Sequence, residues 1–169
     1  MEKVRGSIVF DCEGTLVSPD FGETEGAKVG HYAACPGIMK LLQELRERNF
    51  ALYVWTARGR ASTLALLKGL DMMPFFWDLR CVDDTTPKPH PQALEELVGD
   101  QPKDRIVMIG DSFSDIQGAK SFGCYSIAAA WTPYAQKQKM LDMGPDFVCE
   151  DTSECLEMIE RLIPTERND

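Results

Sequence analysis

Short apolar runs alternate with amphipathic segments along this chain, and the alternation predicts its secondary structure. The apolar runs have the length and composition of buried strands. They predict six strands, near Ser7–Asp11, Ala51–Trp55, Leu79–Val82, Ile106–Gly110, Cys124–Ala128 and, as a shorter one, Phe147–Cys149. Because strands that alternate with helices form parallel sheets, the pattern favours an α/β fold with a central, mainly parallel sheet.

The segments between these strands repeat their apolar residues at the spacing of one helix face. The first helix should begin near Pro36-Gly37. Its buried face would carry four residues at i, i+3, i+4 and i+7: Ile38, Leu41, Leu42 and Leu45. Similar patterns predict helices at Ala61–Leu70, Pro91–Val98, Ser114–Phe122, Pro133–Met143 and Ser153–Ile163. These helices would cover both faces of the sheet, which makes three layers.

One long segment, Val17–Cys35, follows neither pattern and contains Gly22, Gly26 and Gly30. Loops of this length inside a small domain are usually functional. The segment follows directly on a strand that ends in two carboxylates. We therefore expect a single domain over residues 1–169 in which residues 17–35 form a loop or flap near the active site.

Composition and charge restrict the class of partner. The chain has 169 residues, 44% of them hydrophobic and 27% charged, and no apolar run approaches the roughly 20 residues of a membrane span. A net charge of −9 argues against a protein that binds the phosphates of a nucleic acid. Met1–Arg5 is charged and the apolar run after it is too short for a signal peptide, so we expect a cytoplasmic protein without membrane contact.

Six cysteines could indicate disulfides or a metal site, but none forms a Cys-x-x-Cys pair. Several lie in strand-like apolar runs, which favours buried, reduced thiols. His31 and Cys35 make one His-x-x-x-Cys pair, whereas a structural zinc needs four ligands. We therefore predict no zinc site.

Polar residues follow the carboxyl ends of the predicted strands, the edge at which parallel sheets bind ligands. These residues, all suited to phosphate or metal chemistry, are Asp11, Glu13, Thr56, Arg58, Asp83, Asp84, Lys88, Asp111 and Asp115. Each one alone has an ordinary structural explanation, such as a cap or an acid at a helix N-terminus. Matched groups at four strand ends instead favour an active site.

The crowded carboxylates indicate the chemistry. They need a cation, and hard oxygen ligands with open positions suit Mg²⁺. The ion would hold a phosphoryl oxygen and reduce its repulsion from the Asp11 carboxylate, so that Asp11 can attack phosphorus and form an aspartyl-phosphate that water hydrolyses. Glu13 could protonate the leaving alcohol and then activate the hydrolytic water.

The remaining groups fit substrate binding. Lys88 would place a positive charge against the transferring phosphoryl group, and the Thr56 hydroxyl with the neighbouring N–H groups of Ala57 and Arg58 would bind its other oxygens. Arg58 and Arg60 could also contact a second anionic group, although exposed arginines at a helix start are more often plain surface residues.

These residues resemble the four motifs of the haloacid dehalogenase-like hydrolase superfamily, in order and over essentially the whole chain. The matching stretches are Asp11–Leu16, Val54–Arg58, Lys88–Pro91 and Gly110–Asp115. The resemblance implies a Rossmann-like fold with Asp11 as nucleophile. It also implies Mg²⁺ held by the Asp11 side chain, the Glu13 backbone carbonyl and Asp111, with Asp115 directly or through water. The dehalogenases of this superfamily lack the second acid, so Glu13 indicates a phosphatase.

Two departures from the family pattern stand out. Most of its phosphatases have aspartate where this chain has Glu13, and the Asp-x-Glu-Gly-Thr form resembles the enolase-phosphatase branch. That branch carries a helical cap domain, whereas only 45 positions separate Asp11 from Thr56 and 32 separate Thr56 from Lys88, which leaves no room for one. Capless relatives tend to act on larger substrates or to close the site with a neighbouring subunit, so a homo-oligomer is a further expectation.

The sequence thus predicts a capless, Mg²⁺-dependent phosphatase for a phosphomonoester, either a phosphorylated small molecule or a phosphorylated macromolecule. Two alternatives stay open. One is a phosphotransferase or phosphomutase of the same superfamily. The other is a non-catalytic, metal-binding regulatory protein with the same fold, in which Glu13 marks a lost acid function.

Overall fold

The six strands predicted from the sequence pair in one sheet. The computed structural model describes residues 3–20, 22 and 26–165. Its strands are β1 Gly6–Phe10, β2 Val17–Pro19, β3 Lys28–Val29, β4 Tyr32–Ala34, β5 Phe50–Trp55, β6 Asp78–Arg80, β7 Ile106–Gly110, β8 Tyr125–Ala129 and β9 Phe147–Cys149. Its α-helices are α1 Ile38–Glu47, α2 Arg60–Gly69, α3 Gln92–Val98, α4 Phe113–Phe122, α5 Lys137–Asp142 and α6 Thr152–Leu162.

The order of the main sheet is β6-β5-β1-β7-β8-β9, and every neighbouring pair is parallel. Chain order therefore runs outward in one direction from β1 through β5 to β6, and in the other from β7 through β8 to β9. The direction reverses between β1 and β7, and ligands bind beyond the carboxyl ends of the strands at such a switch point. Asp11 directly follows β1 and Asp111 directly follows β7.

Helices cover both faces of this sheet. Side chains of β1 alternate, so that Ile8 and Phe10 pack with α1, α2 and α6 whereas Val9 packs with α3 and α4. Every residue of β1, β5 and β7 is buried, as expected for strands covered on both sides. The predicted three-layer α/β fold is confirmed, and the described residues include no separate cap domain.

The structure differs from the sequence prediction in two segments. Within Val17–Cys35, strands β2, β4 and β3 form a small antiparallel sheet; residues 21 and 23–25 of that segment lie outside the described residues. These strands are two or three residues long, too short to produce an alternating pattern. The helix predicted at Pro133–Met143 begins only at Lys137, because the chain first makes a turn in which the Ala135 N–H donates to the Thr132 carbonyl.

None of the helices in the described part of the chain combines the length and the apolar character that crossing a bilayer requires.

Candidate active site

Lys88 lies at the centre of the residues that the sequence singled out. Its Nζ donates to Asp11 Oδ1 at 2.8 Å and to Asp115 Oδ1 at 2.6 Å. The lysine side chain is only 4% exposed, and the Asp115 side chain is fully buried. The ammonium also lies 5.2 Å from the centre of the Trp55 ring, a favourable position for a cation. Residues from three distant parts of the chain therefore share one buried ionic centre.

Asp111 completes a cluster of three carboxylates. Asp11, Asp111 and Asp115 each place an oxygen within 4.8 Å of the others. Burial raises the pKa of Asp11 well above its ordinary value and also raises the pKa of Asp111. Burial would lower the pKa of Lys88, but the charges of Asp115 and Asp11 raise it instead. Three carboxylates face one ammonium, so the cluster has a negative charge that a cation would balance.

The start of α4 fixes the orientation of Asp115. The backbone N–H and the hydroxyl of Ser112 donate to Asp115 Oδ2 at 3.1 and 2.8 Å, and the Asp115 N–H donates back to Ser112 Oγ. This is a capping box. Asp115 Oδ2 therefore caps the start of α4, and Asp115 Oδ1 accepts a hydrogen bond from Lys88.

Gly14 leaves room for the Asp111 carboxylate because it has no side chain. The Gly14 backbone has a φ of +84°, and a Cβ built there would overlap the Asp111 carboxylate. A residue with a side chain would therefore be strained by its backbone and would also displace a member of the cluster. Gly123 has a similar φ of +90°, but a Cβ there meets nothing within 4 Å.

These two glycines provide a matched test of the cluster. We expect Gly14→Ala and Gly123→Ala each to lose about 1–2 kcal/mol of stability from left-handed strain. Only Gly14→Ala should weaken Mg²⁺ binding, by about tenfold or more, because only there does the new methyl displace the Asp111 carboxylate, a ligand predicted from the sequence. Titration calorimetry with Mg²⁺ and thermal unfolding would measure both effects. Equal cation affinities in the two variants would contradict this account of Gly14.

Glu13 lies outside the carboxylate cluster and is exposed to solvent. Its side chain is 43% exposed. Arg58 Nη1 donates to Glu13 Oε2 at 3.0 Å, and the Tyr32 hydroxyl donates to Glu13 Oε1 at 3.1 Å. The Arg58 guanidinium also lies 4.9 Å from the centre of the Tyr32 ring. The structure thus brings Glu13 and Arg58 together, and it adds Tyr32, which sequence reasoning missed because the strand that carries it is so short.

The end of β5 supplies the remaining predicted groups. Thr56 is buried, and its Oγ1 accepts from the Arg58 N–H at 3.1 Å. Ala57 is exposed, and its N–H bonds to no described residue. Arg60 Nη1 pairs with Asp84 Oδ2 at 2.6 Å. A second substrate anion at Arg58 or Arg60 would therefore have to compete with a carboxylate already bound there.

Cys81, Asp83 and Asp84 form a second group with metal-ligating atoms. Asp84 Oδ2 accepts from the Cys81 N–H and from Arg60, and Asp83 Oδ1 accepts from the Arg60 N–H. These contacts use one oxygen of each carboxylate, and they tie the segment after β6 to the start of α2.

All six cysteines are free, and all except the partly exposed Cys124 are buried. Burial raises the pKa of Cys12 to about 12 and that of Cys35 to about 11. These two are therefore uncharged thiols at neutral pH, unsuited to nucleophilic or metal chemistry. The predicted burial is confirmed for five of the six cysteines.

Comparison with known proteins identifies the family. The family model described as haloacid dehalogenase-like hydrolase matches residues 18–129. A phosphoglycolate phosphatase from Vibrio cholerae is 31% identical over 83% of this chain and 62% of its own length. Pyrophosphatase PpaX from Bacillus mycoides is 28% identical over 74% of this chain and 59% of its own. The chain thus spans about three fifths of the length of these curated relatives.

A solved structure of a conserved haloacid dehalogenase-like protein from Agrobacterium tumefaciens superposes with a TM-score of 0.79. The superposition covers 93% of this chain and 98% of the other, at 15% identity. At that identity the likeness concerns the fold alone, and the fold is the one built above around the β1–β7 switch point. With the family model matching more than half of its residues, this chain belongs to the haloacid dehalogenase-like hydrolases.

Proposed function

We propose that this chain is a Mg²⁺-dependent phosphatase that hydrolyses a phosphomonoester through an aspartyl-phosphate on Asp11. The observation that carries the proposal is the Lys88 ammonium, held between Asp11 and Asp115 beside Asp111. This arrangement lies where a parallel sheet binds ligands. The phosphatase and pyrophosphatase names of the relatives support the same class of reaction.

The donor set fits a divalent cation. Asp11, Asp111 and Asp115 offer hard oxygen ligands, and these three carboxyl groups share the single ammonium of Lys88. The Glu13 backbone carbonyl would be a further ligand, as the family resemblance implies. When bound, Mg²⁺ would neutralise charge on the phosphoryl oxygens and on the carboxylates around it.

Phosphoryl transfer to Asp11 is the first step. Lys88 binds Asp11 Oδ1, which leaves Oδ2 to attack phosphorus. As the new O–P bond forms, the bond from phosphorus to the leaving oxygen breaks, and that oxygen takes a proton from Glu13. Lys88 stabilises the negative charge at the transferring group. The Thr56 hydroxyl and the Ala57 N–H donate to phosphoryl oxygens.

Hydrolysis is the second step. Glu13, now ionised, takes a proton from a water molecule as that water attacks phosphorus. The bond from phosphorus to Asp11 breaks, inorganic phosphate leaves and the Asp11 carboxylate is restored. Glu13 thereby recovers the proton that it gave to the leaving oxygen, so one carboxyl serves as acid and then as base.

A phosphorylated small molecule is the substrate class that we propose. Two relatives are named for phosphoglycolate and for pyrophosphate, both small phosphorylated compounds. The pairing of Arg58 with Glu13 and of Arg60 with Asp84 leaves neither arginine ready to dock a large anionic surface.

Metal removal tests the proposal. We expect phosphate release from a panel of alkyl phosphates, phosphorylated acids and pyrophosphate to fall by about 100-fold or more with EDTA, and to return when Mg²⁺ is added in excess. Turnover that persists with the chelator would contradict a metal-dependent reaction. Mg²⁺ binding without turnover of any compound would favour the non-catalytic alternative, and transfer of phosphate to an added alcohol would favour a phosphotransferase.

A further inference from the structure

We infer that Tyr32 is a positioning residue that holds the Glu13 carboxylate at the mouth of the site, an inference that rests on the proposed function. Tyr32 belongs to β4, in the small sheet next to the site, and its hydroxyl donates to Glu13 Oε1 at 3.1 Å. Arg58 holds the other oxygen, Oε2, at 3.0 Å. The two oxygens of one carboxylate are thus held from two different elements.

Glu13 needs this support because it is long and exposed. A glutamate has one more rotatable bond than the aspartate it replaces, and an exposed side chain of this kind otherwise samples several rotamers. Proton transfer requires the carboxyl within hydrogen-bond reach of the leaving oxygen. Two hydrogen bonds on separate oxygens select one orientation out of many.

Tyr32 is itself well anchored. It pairs with Pro19 of β2 and with Val29 of β3 in the antiparallel sheet, and its ring stacks on His31 with centroids 4.5 Å apart. Just beyond β4, the Cys35 N–H donates to the Leu16 carbonyl, in the turn region that follows Glu13. The backbone of the small sheet is therefore bonded to the turn that carries Glu13. The Tyr32 hydroxyl adds a second link, to the Glu13 carboxylate itself.

Tyr32 also supports Arg58, the second partner of Glu13. The Arg58 guanidinium lies over the Tyr32 ring, and a cation prefers the face of an aromatic ring. Tyr32→Phe would remove the hydroxyl donor but keep this ring. Tyr32→Ala would remove both contacts, so comparison of the two variants separates the direct support of Glu13 from the support given through Arg58.

The first test is a double-mutant cycle with Glu13→Gln. We expect Tyr32→Phe to lower kcat about three- to tenfold with little change in KM, Tyr32→Ala to lower it further, and Glu13→Gln to lower it about 100-fold. In the Glu13→Gln background, Tyr32→Phe should have no further effect, because no acid is left to position. Tyr125→Phe, at the opposite end of the sheet, is the matched control and should change neither constant.

The second test uses leaving groups of different acidity. A nitrophenol leaves without protonation, whereas an alkyl alcohol needs an acid. We expect Tyr32→Phe to lower kcat/KM for alkyl phosphates several-fold and to spare kcat/KM for p-nitrophenyl phosphate. Loss of packing alone would lower both together.

The outcomes separate this inference from the proposed function. Wild-type turnover with equal losses from Tyr32→Phe in both backgrounds, or equal losses for both leaving groups, would overturn the role of Tyr32 alone. Activity that Glu13→Gln leaves intact would also overturn it, because there would be no acid to hold. Lack of any Mg²⁺-dependent turnover in the wild type would overturn the proposed function, and the role of Tyr32 with it.

Discussion

Asparagine in place of Asp11 is expected to lower phosphate release by about 10⁴-fold or more, because a carboxamide cannot form the aspartyl-phosphate. The substitution keeps the size of the side chain and its Oδ1, which can still accept from Lys88. Since burial raises the pKa of Asp11 and so disfavours its charge, the variant should unfold at no lower temperature than the wild type. Activity would be lost while the fold is kept.

Two further measurements complete this prediction. Asp100→Asn, at an exposed turn, is the matched control and should retain full activity. Acid quenching during turnover should trap phosphate covalently on the wild type but not on Asp11→Asn. Retention of more than a few per cent of the activity by Asp11→Asn would eliminate Asp11 as the nucleophile.

Methionine in place of Lys88 is expected to have the largest combined effect on stability and activity. Removal of one partner from a buried ionic centre costs about 3–5 kcal/mol, which corresponds to a fall of about 10 °C in Tm for a chain of this length. Loss of the ammonium should also lower kcat by about 100-fold or more. Lys68→Met, an exposed lysine on α2, should change stability by no more than about 0.5 kcal/mol.

The loss of stability caused by Lys88→Met should increase as the pH rises. Burial already raises the pKa of Asp11 above its ordinary value, and removal of the ammonium would raise it further. A carboxyl with a raised folded-state pKa stabilises the fold while it is protonated, and this stability is lost as pH rises through that pKa. The difference in Tm between Lys88→Met and the wild type should therefore be larger at pH 8 than at pH 5. A constant difference would show that the centre is not ionic.

Prediction from the sequence succeeded where a pattern extends over a whole element. Strands β1, β5 and β7 are buried along their full length, so their apolar runs were unmistakable. The parallel arrangement then brought Asp11, Lys88 and Asp111 to one edge. The short strands β2, β3 and β4 left no such signal, and Tyr32 was missed with them.

Contacts between side chains could not be predicted from the spacing of motifs. The pairing of Glu13 with Arg58 and the fit of Asp111 against Gly14 depend on rotamers and on φ angles, which the sequence does not express. The start of α5 was misplaced for a similar reason, because the turn after Thr132 competes with the helix for the same residues.

The ionic centre is formed only by residues that are far apart in the sequence. Lys88 is 77 residues from Asp11 and 27 from Asp115 along the chain, and the ends of β1, β6 and β7 must all be in place before the three side chains can meet. A partly folded chain with separate strand pairs would bury some apolar surface but would hold no intact centre. Each intact centre therefore indicates a molecule in which the strands from β6 to β7 have assembled in their final order.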